Sequence, residues 1–548
     1  MSAVTNNHRW RWLTGGAVAV SLLAFVLLIA LLAWQGFRYF WPQTVTLYTV
    51  QQTVGTSQML GEIVQKERVS RQQLQASGRV LPAGLPQELT RYLIKTGNRD
   101  FAATDFQSLL SYQIVAQEQP TGVIALQRRS GGMAYGWFDG LLENGQPLVA
   151  RNMMRALQLR IKQSQQHLSQ AEKIRRISMA RLNNELNQLA QRQHRLQQEN
   201  QYTAQAQSIH QADSTELQRQ FALKARQLND LTSESSSTVL ILRDAQGQQH
   251  FIPLNQILSA WYPNAMSYGE KGLHFAWQIW HFISGTSGES VGEGGVFPAI
   301  FGTVLMVLLM SVVVMPLGVV AAIWLHEYAG NGLMTRLVRI AVVNLAGVPS
   351  IVYGVFGLGF FVWLAGGSLD RLFFADALPN PTFGTPGLLW ASLTLALLTL
   401  PVVIVATEEG LSRIPNSLRQ GSLALGATQA ETLWHVTLPL AVPAMLTGLI
   451  LAVARAAGET APLMLVGVVK MVPELPVDAV FPYLHLDRKF MHLGFQIYDL
   501  AFQSPNAQAD RPLVFATALL LVTIILALNV LAMALRHRLR ERYRALMN

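Results

Sequence analysis

The sequence contains no cysteine among its 548 residues, which excludes a disulfide framework and a thiolate metal site. Charge is also scarce: Asp, Glu, Lys and Arg make up 14% of the chain, whereas about a quarter is usual in soluble proteins. Half of the residues are apolar and cluster into long runs, which is typical of membrane proteins. The net charge of +10 lies largely beside those runs. It therefore indicates orientation in a membrane more than nucleic-acid binding.

Three catalytic motifs are missing as well. The sequence has no G-x-x-x-x-G-K-[ST] run to hold ATP phosphates in the usual loop, no H-E-x-x-H zinc motif and no G-x-S-x-G nucleophile motif. We therefore expect no enzyme activity from this chain alone, and no catalytic residue, metal or cofactor.

Six apolar runs are long enough to cross roughly 30 Å of hydrocarbon as helices. The first, residues 13–34, follows a short segment, residues 1–12. A cleaved signal peptide is the alternative, but its apolar core would be shorter and a small-residue cleavage site would follow it. The other five runs lie within residues 296–548, at about 297–325, 337–364, 387–407, 440–469 and 512–535.

Basic residues predict which side of the membrane each loop occupies. They precede the first run, separate the second run from the third and the fourth from the fifth, and follow the sixth. Because cytoplasmic segments carry an excess of Lys and Arg, both termini are expected in the cytoplasm and residues 35–295 in the periplasm of an inner-membrane protein. The basic residues are His8, Arg9, Arg11, Arg336, Arg339, Arg413, Arg419, Arg536, Arg538, Arg540, Arg542 and Arg544.

Residues 35–295 form a large insertion between the first two runs. Short alternating apolar segments at 45–50 and 123–126, with Gly and Pro between them, predict a small β-rich or α+β domain. Two later segments, 238–242 and 251–254, predict strands that return to the same domain.

The middle of the insertion predicts a long helical hairpin at about 151–232. Neither Gly nor Pro occurs from Arg151 to Asp230, and apolar residues recur every seven positions, as in a coiled coil. Arg175 interrupts this seam. Two roles stay open: a solvated stalk without a ligand, and an arm that docks another protein. The seam residues are Ile161, Leu168, Leu182, Leu189 and Leu196, with Met179 and Leu186 on the neighbouring core position.

Residues 411–443 are a polar, helix-forming segment within the predicted cytoplasmic loop 408–443. A glycine is followed ten residues later by an aliphatic residue and then, after one more residue, by Leu-Pro. This spacing resembles the coupling loop through which ABC-importer permeases contact their ATPase. An ordinary amphipathic cytoplasmic loop is the alternative. The matching positions are Gly426, Val436, Leu438 and Pro439.

The same loop departs from the family pattern at three positions. Gln420, Gly421 and Ser422 stand where the family has Glu-Ala-Ala. Gln420 removes a carboxylate for pairing with the ATPase, and Gly421 costs about 1 kcal/mol of helix propensity relative to alanine. We expect a short helix, a break at Gly426, where glycine supplies backbone freedom, and a second helix that enters the fifth span.

Arg455 and Glu459 lie four residues apart in the fifth run and are predicted to share one helix face. Charges at such depth cost about 2.5–3.5 kcal/mol each and usually face a bundle interior or a wet cavity. Two interpretations stay open. The pair lines the route of an anion, with Glu459 orienting Arg455, or it is a structural ion pair. Gly458 is expected to allow close backbone approach, and Pro462 to loosen the helix.

The segment around this pair, ARAAGETAPL at residues 454–463, resembles the phosphate-specific permease family. Residues 347–354 also resemble that family, and tight helix packing is their expected role. Residues 326–328, His-Glu-Tyr, match a family pattern at the cytoplasmic edge of the second span. The motif positions near the charge pair are Gly458, Thr460, Ala461 and Pro462.

Taken over about half of the chain, the sequence is similar to PstA-type permease subunits of phosphate ABC importers. The resemblance implies a mainly α, polytopic fold with six transmembrane helices, the type I ABC importer permease fold. The insertion adds a periplasmic α+β domain with a long helical coiled-coil hairpin. The implied partners are a second permease subunit, two ATPase subunits and a periplasmic phosphate-binding protein, in a lipid membrane and without nucleic acid.

Two other functions remain open at the level of the sequence. One is a permease for another oxyanion, molybdate or sulfate. The other is a membrane-anchored periplasmic sensor, which would need a cytoplasmic signalling domain.

Overall fold

The computed structural model describes residues 3–51, 55–76, 81–82, 84–97, 104–129, 131–199, 202–286, 294–330, 332–375, 381–472, 474–478, 481–504 and 507–545. They form two compact units. The membrane unit comprises Met1–Tyr39 and Val296–Asn548, and the inserted unit comprises Phe40–Gly295. Some predicted orienting side chains lie outside the described part of the chain, namely those of His8, Arg9, Arg11, Arg540, Arg542 and Arg544.

Helices dominate the membrane unit, and both helices and strands build the inserted unit. The described helices are α1 (Ala3–Phe40), α2 (Arg71–Ala76), α3 (Met153–Lys173), α4 (Ala180–Gln198), α5 (Ala204–Ser236), α6 (Tyr268–Ser284), α7 (Phe297–Ile323), α8 (Leu333–Leu345), α9 (Ser350–Phe356), α10 (Gly367–Phe373), α11 (Leu388–Ser412), α12 (Asn416–Ala424), α13 (Gln429–Thr432), α14 (Leu438–Gly458), α15 (Leu463–Val466), α16 (Leu493–Tyr498) and α17 (Ala507–Ala545). The described strands are β1 (Thr46–Gln51), β2 (Thr56–Ser70), β3 (Glu88–Lys95), β4 (Phe106–Leu110), β5 (Ile114–Glu118), β6 (Val123–Arg128), β7 (Met133–Glu143), β8 (Gln146–Pro147), β9 (Thr238–Arg243), β10 (Gln249–Pro253) and β11 (Ile257–Trp261).

Two antiparallel sheets form the β part of the inserted unit. The first has the strand order β4-β3-β2-β1-β5, and the second has the order β10-β9-β7-β6-β11, with β8 paired to β7. The strands predicted at 45–50, 123–126, 238–242 and 251–254 are confirmed as β1, β6, β9 and β10. The prediction of an α+β domain is therefore correct.

Strand β6 is apolar throughout because both of its faces are buried. Val123 and Ala125 lie in a core cluster with Leu60 of the first sheet. Ile124 and Leu126 point to the opposite face, as alternate residues of a strand must, and join a second cluster with residues of the helical hairpin. The second sheet is thus covered on one face by the first sheet and on the other by helices.

A helical hairpin connects β8 to β9. Its outgoing arm runs through α3, a π-helical stretch (Ile174–Met179) and α4, and α5 returns along it. At the base, the Ser164 hydroxyl donates to the Ser235 carbonyl over 3.2 Å. The predicted hairpin is present, whereas the interlocking of its side chains as a coiled coil stays a prediction.

The membrane unit contains six described helical segments that are long and apolar enough to span a bilayer: Trp12–Phe40, Phe297–Tyr328, Ser350–Phe373, Leu388–Ser412, Gln429–Gly458 and Asp510–Arg538. Helix α11 packs against both α7 and α14, and these two helices also contact each other. Its buried Thr394 and Thr399 hydroxyls donate to carbonyls one turn earlier, at 2.7 and 2.8 Å, so these polar groups are satisfied in apolar surroundings. The prediction of six spans is confirmed.

Two of the predicted span boundaries are wrong. The third span was expected at 337–364, but α8 ends at Leu345 and the spanning segment begins at Ser350. Pro349 precedes that segment, and a residue before proline disfavours the α conformation. The fifth span was expected at 440–469, but α14 ends at Gly458. In both places a proline motif divides an apolar run that hydropathy alone joins.

Candidate translocation and coupling sites

The charge pair lies at the C-terminal end of α14. The Arg455 Nε and Glu459 Oε1 atoms are 3.6 Å apart, and the two side chains are about a third and a fifth exposed. Arg455 is inside the helix, whereas Glu459 caps it in an extended conformation, with φ −81° and ψ 120°. The prediction that both charges lie within the helix is therefore wrong for Glu459, although the two residues do pair. A partly exposed guanidinium at a helix end can contact an anion.

Helix α9 packs directly against the turn that follows this pair. A Cβ atom on Gly354 would lie 2.7 Å from the Cα of Pro462, so only glycine allows this approach. The adjacent Tyr353 is buried in the core cluster that contains Leu463, and its hydroxyl donates to the Leu345 carbonyl over 2.7 Å. The predicted role of residues 347–354 in tight packing is confirmed.

Gly458 does not have the expected role in close packing. A Cβ atom placed on it would meet no atom within 4 Å in the described part of the chain. The close approach occurs at Gly494 instead, where a Cβ atom would collide with Thr460 Oγ1 and the His492 ring. This contact was not predictable from the sequence because Thr460 and Gly494 lie in separate segments of the chain.

His492 is a buried residue that the sequence motifs did not indicate. It lies beside the turn at residues 459–462 between α14 and α15, called the signature turn below. It is 1% exposed, and its Nδ1 accepts a hydrogen bond from the Gly494 amide over 3.1 Å. Burial lowers the pKa of His492 to about 4, so the ring is neutral at pH 7 and carries its proton on Nε2. The amide of Leu493, the residue before Gly494, donates to Thr303 Oγ1 over 3.0 Å. The segment before α16 is therefore fixed to both α7 and the signature turn.

The predicted coupling segment has the expected helix-break-helix form. Helix α12 ends at Ala424, and Gly426 follows with φ +90°. That left-handed conformation is strained for other residues. Thr428 then caps α13 in a capping box with Glu431, and a π-helical stretch (Leu433–Thr437) continues into α14. The break and the second helix are confirmed.

The break brings the two helices of the segment together and exposes apolar side chains. Ser422 Oγ and Thr432 Oγ1 form a hydrogen bond of 2.9 Å between α12 and α13. Leu425, next to the break, is 91% exposed and Trp434 is 66% exposed. Exposed apolar groups of this size on an ordered segment mark an interaction surface.

The residues at the family positions are distributed along this segment. Gln420 and Gly421 lie on the exposed side of α12, and Ser422 makes the bond to Thr432. Val436 lies in the π-helical stretch. The Leu-Pro pair, Leu438 and Pro439, begins α14.

Arg419 anchors α12 to the end of the second span. Its Nη1 atom lies 3.0 Å from Glu327 Oε1. Its Nη2 donates to the Leu411 carbonyl over 3.0 Å and lies 3.3 Å from His326 Nε2. The Arg419 side chain is only 18% exposed. His326 and Glu327 thus contact the coupling segment through Arg419, a role that the sequence did not indicate.

A second ion pair lies near this anchor. Arg339 of α8 contacts Glu408 of α11, with Nη2 and Oε1 2.7 Å apart. The Arg339–Glu408 pair joins α8 to α11, and Arg419 joins α12 to α11 and to the end of the second span.

Comparison with known proteins places this architecture in a family. Residues 315–544 match the family described as "Binding-protein-dependent transport system inner membrane component". The chain is 33% identical to the phosphate transport system permease protein PstA of Yersinia pestis over 251 residues, which are 46% of this chain and 75% of that protein. The chain belongs to the PstA-type permease family. Its membrane unit is the part that carries the PstA-type motifs.

Two further relatives support this assignment. The probable PstA permease of Methanocaldococcus jannaschii is 31% identical over 45% of this chain and 77% of its own length. The phosphate transport system permease protein PstA 1 of Mycobacterium tuberculosis strain CDC 1551 is 39% identical over 34% of this chain. The match spans about half of the mycobacterial protein, 56% of its length.

Proposed function

We propose that this chain is a permease subunit of an ATP-driven phosphate importer. It forms half of the translocation pathway and is driven by a separate ATPase. The observation that carries the proposal is the coupling segment, in which Gly426 separates two helices, Leu425 is exposed, and Arg419 fixes α12 to the second span. The relatives named as phosphate transport permeases support phosphate as the cargo.

Arg455 is proposed to contact the anion, and Glu459 is proposed to orient the Arg455 side chain. The support is their 3.6 Å separation, their partial exposure and their place at the signature turn. A guanidinium offers several N–H donors in a planar fork that suits phosphate oxygens. Gln420, Gly421, Ser422, Gly426, Val436, Leu438 and Pro439 are proposed to form the surface that couples to the ATPase.

The proposed assembly contains a second permease subunit, two ATPase subunits and a periplasmic phosphate-binding protein. The proposed topology places both termini and the coupling segment in the cytoplasm and residues 35–295 in the periplasm. The arginines beside the spans support this orientation.

Purification of the tagged chain from its native membrane tests the proposal. We expect an ATPase subunit to co-purify, and we expect the isolated chain to hydrolyse no ATP. ATP hydrolysis by the isolated chain would overturn the permease assignment. Co-purification with signalling proteins and no ATPase would favour a sensor.

A further inference from the structure

Helix α6 of the inserted unit has an inner aromatic face that packs on the residues at which this unit begins. Phe282 contacts Phe40, the last residue of α1, with ring centroids 5.1 Å apart. One residue further, Trp41 contacts Phe275 over 5.9 Å. The candidate first span itself ends at Phe40. Helix α6 is therefore fixed beside the first residues of the inserted unit, which directly follow the first candidate span along the chain.

The end of α6 also lies beside Gly295, the last residue of the inserted unit. The Gly295 amide donates to the Thr286 carbonyl over 2.7 Å, and Gly285 and Gly295 are in backbone contact. Gly295 precedes by two residues Phe297, where the second span begins. The C-terminal end of α6 is thus held next to both ends of the inserted unit, Phe40 and Gly295.

The outer face of α6 is apolar and has no covering residue in the described part of the chain. Leu273, Trp277 and Trp280 are 75%, 38% and 69% exposed. They are spaced at i, i+4 and i+7, which places them on one side of the helix. Such a contiguous apolar face on a folded helix marks a binding surface.

Two histidines flank this face and are neutral. The Trp277 ring stacks on His281, with centroids 5.1 Å apart and planes 9° apart, and His274 lies 5.6 Å from Trp277. Burial lowers the pKa of His274 to about 4. Burial and the charge of Arg129 lower the pKa of His281. The uncharged rings of His274 and His281 therefore extend the apolar surface of this face at pH 7.

We propose that α6 is an interfacial helix whose Leu273–Trp277–Trp280 face lies in the headgroup region of the bilayer. Tryptophan is suited to this zone because its large apolar ring carries one polar N–H group. An amphipathic helix in this position buries its apolar face at the headgroup–acyl boundary. Phe40, which α6 contacts, ends the first candidate span, and Gly295, which the C-cap Gly285 contacts, comes two residues before the second.

Single-cysteine labelling of the full chain in lipid vesicles tests this proposal, since the native sequence has no cysteine. Leu273→Cys and Trp280→Cys replace exposed residues and leave the inner face intact. Each variant is labelled with an environment-sensitive fluorophore and exposed to iodide in water or to lipids spin-labelled near the headgroup. Val149→Cys is the matched control, an apolar residue of the inserted unit that is 94% exposed.

We expect the labels at positions 273 and 280 to show blue-shifted emission, loss of iodide quenching and strong quenching by the lipid probe. The label at position 149 should show the reverse. Iodide quenching at 273 and 280 equal to that at 149 would overturn the proposal. Blue-shifted emission without lipid quenching would also overturn it, because the face would then be covered by protein.

Discussion

Arg455 is the residue on which the proposed substrate pathway most depends. A hydrogen bond to a charged group contributes about 1.5–3 kcal/mol, so Arg455→Ala should reduce phosphate uptake by about tenfold or more. Arg455→Lys should keep part of the activity, because lysine retains the charge but not the planar fork. Glu459→Gln should be tolerated better than Arg455→Ala if Glu459 only orients its partner. Initial uptake rates in vesicles measure these effects, and normal uptake by alanine variants at both positions would make the pair structural.

Arg419 gives a residue-scale test of the anchor between α12 and the second span. Arg419→Ala removes the contact with Glu327 and should lower uptake per ATP hydrolysed by about tenfold, the effect of losing one charge-assisted bond. Arg413→Ala is the matched control. Its side chain is 82% exposed and its contact with Glu409 is 3.8 Å, so such a surface pair contributes little.

A double variant in which the two charges of the Arg419–Glu327 pair are exchanged makes this test more specific. Arg419→Glu combined with Glu327→Arg should restore part of the lost coupling, and a double-mutant cycle would give their interaction energy. Equal losses for Arg413→Ala and Arg419→Ala would contradict the anchor.

At the scale of elements, the break at Gly426 should be needed for coupling. A β-branched residue at φ +90° is strained by about 1–3 kcal/mol. Gly426→Val should therefore leave membrane insertion intact and abolish ATP-driven uptake. Gly367→Val is the matched control, because it introduces the same side chain at a helical position of α10, outside the coupling segment, where a Cβ atom meets no described neighbour within 4 Å. Continued uptake by Gly426→Val at the normal rate would show that the segment does not transmit movement.

Elements that depend on local pattern were predictable from the sequence. Six apolar runs, the alternating strands such as β6, the hairpin and the break at Gly426 follow from periodicity and glycine position. The boundaries at Pro349 and Gly458 were missed because hydropathy averages across a proline motif. The contacts of Arg419 with Glu327 and of Gly494 with Thr460 depend on tertiary packing between distant segments, which one sequence does not show.

At the scale of the whole molecule, the inserted unit is proposed to tune docking of the phosphate-binding protein or of a matching domain on the partner permease. Replacing residues 45–285 by a Gly/Ser linker should leave insertion and ATPase assembly unchanged. Uptake should then need more loaded binding protein to reach half its maximum rate. Failure to assemble would make the unit a structural part of the complex, and an unchanged half-saturation would remove the docking role.

ATP-driven uptake of labelled phosphate into vesicles that contain the full set of proposed partners tests whether the chain is a phosphate permease subunit. We expect uptake that requires the ATPase and the binding protein, resists competition by sulfate and molybdate, and falls with Arg455→Ala. Uptake of sulfate or molybdate in preference to phosphate, or phosphate uptake that continues without the ATPase, would contradict it.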